Sequence, residues 1–130
     1  MKTAVQVLAS MIVRSEKAQS RFAQGTSQHT LQRNRIDSLH IAMLLVSDEM
    51  TGGDQAKDLT KEELERAVAP ITSLISKSEK AQKKLANGTW QHSMLEENLE
   101  ALSIALPLLE KRLFETEGKN LEYPATKMRK

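Results

Sequence analysis

SEKAQSRFAQGTSQH, residues 15–29, returns 63 residues later as SEKAQKKLANGTWQH, residues 78–92, with ten of fifteen letters unchanged. Working outward at that constant offset, residues 3–50 align with 66–113 without a gap. More than a third of the aligned pairs are identical, and others are conservative, such as Arg14/Lys77, Phe22/Leu85, Leu31/Met94 and Met43/Leu106. Self-similarity at a fixed offset marks a repeated structural unit. The expectation is an internal duplication of a unit of 48 residues.

Within each unit the apolar spacing is helical. Val5, Leu8, Ile12, Ser15, Gln19 and Phe22 advance by three and four residues, as do Val68, Ile71, Ile75, Ser78, Gln82 and Leu85. Gly25-Thr26 and Gly88-Thr89 then punctuate the chain. Glycine accepts the left-handed backbone at a helix end, and threonine caps the next helix. The stripe resumes through His29, Gln32, Ile36, Leu39, Met43, Val46 and Met50, and through His92, Leu95, Leu99, Leu102, Leu106, Leu109 and Leu113. Each unit therefore reads as helix, tight turn, helix. A single long helix through each Gly-Thr is the competing arrangement, since one interior glycine costs only ~1 kcal/mol. Two hairpins burying each other's apolar faces make an all-α four-helix bundle with pseudo-twofold symmetry.

The bundle is expected as one domain over 1–115, with units 3–50 and 66–113 and a connector, 51–65. Gly52-Gly53 stops helix 2. Thr60 and Glu63 stand at capping-box spacing, with Leu59 and Leu64 as a hydrophobic staple, so helix 3 should start at Thr60. Pro70 predicts a kink or short break near Ala69, and Pro107 a bend in helix 4. Residues 116–130 are polar and read as a disordered C-terminal tail.

Composition narrows the function classes. Apolar residues are 39% of the chain but aromatics only 3%, so the core must be aliphatic, which suits helices. The absence of cysteine excludes disulfides, thiolate ligands and cysteine nucleophiles, and agrees with a cytoplasmic setting. Lys2 followed by a mostly apolar stretch resembles a weak signal peptide, but Gln6 and Ser10 interrupt it and residues 3–14 have a counterpart at 66–77. The longest apolar run, Ile41–Val46, is far short of the ~18–20 residues that span a bilayer. No membrane association is expected.

An up-down-up-down bundle brings both Gly-Thr turns to one end, gathering Glu16, Gln19 and His29 with Glu79, Gln82 and His92. Glu16, His29, Glu79 and His92 are the metal candidates, because carboxylate and imidazole pairs between helices can hold zinc, iron or manganese. No Glu-x-x-His occurs, however, and Glu79 can pair with Lys83 at i,i+4. The plainer expectation is a polar layer of Ser15, Gln19, Ser78 and Gln82 satisfied by the histidines and turn backbones, with no cofactor. His40 aligns with Ser103 and reads as a lone edge histidine. Arg14, Lys17, Arg21, Arg33 and Arg35, with Lys77, Lys80, Lys83 and Lys84, form basic faces that nucleic acid would need. Glu96, Glu97, Glu100 and Glu110 and a net charge of +2 favour a solvated face instead.

No nucleophile constellation or phosphate-binding glycine loop is present, so the chain is not read as an enzyme. Ile41, Leu44, Leu45, Ile104 and Leu108 lie off the main stripes and make helices 2 and 4 apolar on more than one side. Segment 59–68 covers them, or a second chain does. The resulting expectation is a non-catalytic interaction or self-assembly module, with a homodimer or another protein as partner. A metal- or small-ligand-binding bundle is the alternative, and a nucleic-acid binder ranks behind both.

Overall fold

A computed structural model describes residues 3–120, the side chains of 117–120 excepted. The described residues form four helices and no strand: α1 (Ala4–Gln19), α2 (Ser27–Thr51), α3 (Lys61–Lys83) and α4 (Trp90–Asn120). Each of the first three starts at a threonine. Thr3 and Thr60 close capping boxes, with the hydroxyl accepting from the third helical N–H at 3.1 Å while Gln6 or Glu63 accepts from the threonine N–H at 2.9 Å. Leu64 is fully buried behind the second box and Leu59 packs against the core. Thr26 caps α2 through its hydroxyl alone.

Neither internal proline breaks its helix. α3 is continuous across Pro70 and α4 across Pro107, so the expected break near Ala69 does not occur. A proline removes one i→i−4 bond and strands the carbonyl four residues back. Those carbonyls belong to Arg66 and Ser103, both exposed, where water can satisfy them.

The core is aliphatic throughout. Its largest fully buried side chains are Leu8, Leu39, Val46, Leu64, Ile71, Leu102 and Leu109. α1 packs against α2, α3 against α4, and α2 and α4 also meet across one diagonal, whereas α1 and α3 do not touch. Small residues make that diagonal close: Ser38 and Ala42 on α2, and Ala101 and Ala105 on α4, are all buried. Leu45, expected on an association surface, is 6% exposed and belongs to this core, with Ile41, Leu44 and Leu108 half-buried against it.

The connector is tied down rather than slack. Gly52 ends α2 in the left-handed conformation, φ 74°, and its N–H donates to the Asp48 carbonyl at 2.8 Å. The Asp48 carboxylate then accepts from the backbone N–H groups of Gln55 and Ala56 at 2.9 and 2.8 Å. Arg112, reaching from α4, donates to the carbonyl of the same Ala56, which is fully buried. α4 continues through 116–120, into the stretch expected to be tail, and residues 121–130 lie outside the described residues.

Two substitutions test this packing by chemical denaturation. Asp48→Ala should lower stability by ~1–3 kcal/mol, because it orphans two connector N–H groups. Asp54→Ala, which removes only an exposed pair with Lys57 at 3.7 Å, should change it by less than about 0.5 kcal/mol. Ala105→Leu should cost ~1–3 kcal/mol by forcing α2 and α4 apart. A neutral result would mean that their close approach is not needed.

Candidate functional site

The two Gly-Thr segments have nearly the same local construction. Gly25 and Gly88 take φ of 87° and 88°, a region open to glycine and strained for other residues. The hydroxyls of Thr26 and Thr89 donate back to Ala23 and Ala86 carbonyls and accept from the N–H of His29 and His92 at 3.2 Å. The preceding helices stop sooner than their apolar stripes suggest. α1 ends at Gln19 and α3 at Lys83, and the chain then tightens through bonds from Phe22 to Gln19 and from Leu85 to Gln82. Phe22, expected on the buried stripe, is therefore 38% exposed, and Leu85 half-buried.

Glu16 and Glu79 point to solvent while His29 and His92 are half-buried. Among the described residues no group of three or more His, Cys, Asp or Glu side chains is placed to hold a metal ion. The four metal candidates thus do not assemble.

The polar positions divide by half. Gln82 Nε2 donates to Glu96 Oε1 at 2.6 Å and approaches the His92 carbonyl at 3.4 Å. Gln19 Nε2, its counterpart, is buried without an acceptor. The residue that corresponds to Glu96 is Arg33, whose guanidinium can only donate. Ser78 is buried at 8% exposure and Ser15 half-buried.

A second set of residues gathers beside that layer. An open cleft of about 290 Å³ lies between the helix pairs, walled by all four helices. Arg14, Ser15, Arg35, Ser78 and Asn98 line it together with Met and Leu side chains, and no carboxylate does. Arg14 Nη2 donates to Oδ1 of the buried Asn98 at 3.4 Å. Arg35 forms no hydrogen bond or ion pair with any described residue, and its Nε is buried with no partner. Loss of solvent lowers the pKa of its guanidinium from the ordinary arginine value. Sequence reasoning placed Arg14 and Arg35 on a solvated face. The signal it passed over is register: Arg35 lies four residues before buried Leu39, on the inner side of α2.

Charge reinforces the contrast between the two ends. Residues 14–35 and 77–98 carry nine basic and four acidic side chains, whereas residues 36–76 carry three basic and eight acidic. The Gly-Thr half of the bundle is the positive one. No helix among the described residues is long and apolar enough to cross a membrane. No family model, curated protein or solved structure matches the chain.

Paired substitutions separate the two glutamines. Gln82→Met should destabilise the fold by about 1 kcal/mol, since it breaks the bond to Glu96. Gln19→Met should be neutral or stabilising, because it removes a buried donor that bonds to nothing. Equal losses at both positions in thermal or urea unfolding would contradict this assignment.

Proposed function

We propose that the chain is a duplicated helical hairpin with pseudo-twofold symmetry, acting in the cytoplasm as a non-catalytic association module that pairs with a second copy of itself. The duplication is supported by the core. The offset of 63 carries Leu8 onto Ile71, Leu39 onto Leu102 and Val46 onto Leu109, which are six of the seven largest fully buried side chains. The same offset carries Gly25 onto Gly88 with φ preserved within a degree.

The placement of Trp90 supports association. This is the largest apolar side chain in the sequence, and it is 70% exposed. Burying an aromatic of this size against a partner would recover roughly 3 kcal/mol that the monomer leaves unused. Ile104, 49% exposed, lies fourteen residues further along α4. Four helical turns separate the two, so they share one side of the helix about 21 Å apart. Half-buried Leu108 continues that side at the next turn. Exposed aromatics with flanking aliphatics are characteristic of interfaces.

Charge supports a copy as the partner. Two molecules lying antiparallel set the basic Gly-Thr half of one against the acidic connector half of the other, an isologous arrangement that closes as a dimer.

Light scattering across a dilution series should show a mass falling from dimer to monomer, with Trp90 emission shifting to the blue as concentration rises. Ile104→Glu and Trp90→Ser should each weaken the dimer by about tenfold or more. Added salt should weaken it further, since the charged halves face each other across solvent. A monomeric mass at every concentration up to ~1 mM would sink the proposal.

A further inference from the structure

The geometry points to the cleft between the helix pairs as a binding site for a small phosphate-bearing ligand, held by Arg35 and Arg14 with Asn98 and Ser78. Arg35 is the group that requires an explanation. A guanidinium carries five N–H donors and keeps its charge across the physiological range. Removing it from water without a counter-ion is costly, and a natural interior supplies a carboxylate or carbonyl in return. Here neither is supplied. The carboxylate nearest in the fold is Glu65, which lines a separate cavity on the outer side of Arg35 and sits 3.9 Å from Lys61.

Three further observations identify what would fit. First, Arg14 enters the same cleft from α1, and its contact with Asn98 is long at 3.4 Å, so its remaining donors are free to turn toward a ligand. Two guanidiniums approaching from different helices suit a tetrahedral oxyanion, whose oxygens can accept from both at once. Second, buried Ser78 and Asn98 add a hydroxyl and an amide on the opposite helices, donors that a phosphate can use and a simple halide cannot. Third, the surrounding half of the bundle is basic, so its field draws anions toward this opening rather than to the acidic connector. The remaining walls are apolar, Leu74 and Met94 among them, and about 290 Å³ leaves room for a small organic group behind the phosphate.

The site differs from a generic anion patch in being internal to the fold. At the 63-residue offset Arg35 corresponds to Asn98, so the pseudo-equivalent positions face the cleft as a donor cation and a neutral amide. One carboxylate introduced there should therefore replace the ligand.

Titration calorimetry and thermal shift with inorganic phosphate and with phenyl phosphate, at ionic strength matched with sodium chloride, test the assignment on the full chain. Saturable binding of both is expected, with phenyl phosphate the tighter. Arg35→Met should weaken it by about tenfold or more, and Arg14→Met by a smaller factor. Asn98→Asp should abolish it and raise the melting temperature of the free protein, by pairing with Arg14 internally. Arg33→Met, on the exposed side of α2, should leave binding within about twofold. Circular dichroism checks that each variant is folded; Asn98→Asp keeps the test valid even if Arg35→Met is not. The proposal is overturned by non-saturating response in the parent protein. It is equally overturned if binding survives both Arg35→Met and Asn98→Asp but falls when Lys83 and Lys84 are neutralised, which would place the anion on the open lysine face.

Discussion

The close approach of α2 and α4 is the constraint on which the remaining architecture depends. Four helices of equal bulk would pack as a square, with both diagonals open. Here Ser38, Ala42, Ala101 and Ala105 put short side chains on the two helices that meet across one diagonal, and α1 and α3 are left on opposite flanks without contact. Dispersion and burial then come from the larger residues on either side of that seam, Leu39 and Val46 with Leu102 and Leu109. The fourfold repetition of small residues at two related pairs of positions, Ser38/Ala101 and Ala42/Ala105, makes the seam a property of both halves of the chain.

That seam also makes the molecule lopsided along its length. Toward the connector, buried side chains arrive from every helix, and Asp48 and Arg112 fasten the loop over them. Toward the Gly-Thr end the buried residues thin out to Ser78 and Asn98, both polar, while Leu31, Phe22 and Trp90 face outward. Stability in proteins is distributed unevenly in this way, and binding surfaces are drawn from the less densely packed regions. The aliphatic half supplies the folding free energy, and the basic half is left with a cleft, an unpaired guanidinium and exposed aromatic surface.

Much of the helix pattern could be read directly from residues. Thr60, Glu63, Leu59 and Leu64 specify the start of α3 by local chemistry that needs no tertiary information, and the model has every one of those contacts. Gly25 and Gly88 likewise announce a left-handed backbone. What the residues did not reveal depends on neighbours. Periodicity assigns Phe22 to a buried stripe, but a stripe says nothing about whether another helix reaches that far, and α1 has already ended at Gln19. Pro70 looks like a break until the exposure of Arg66 shows that its freed carbonyl can be hydrated. Leu45 looks surplus to one stripe because the stripe was drawn for one contact, while α2 in fact meets three helices. Among the site residues, the histidines and glutamates drew notice by their chemistry, although Arg35 was the residue whose position on the inner face conflicted with its charge.

That conflict has a physical direction. Along the inner face of α2, Gln32 and Arg35 stand where the corresponding positions of α4 have Leu95 and Asn98, and all four border the same cleft. An interior selected only for stability would converge on aliphatic residues at such positions, since leucine at 95 fits the same backbone that holds glutamine at 32. The backbone is shared between the halves to within a degree at the glycines, yet the cleft-facing side chains differ in charge. A charge kept at the expense of packing is what a ligand's own charge can offset, and Arg35 is the position in the described interior where the fold provides no offset of its own.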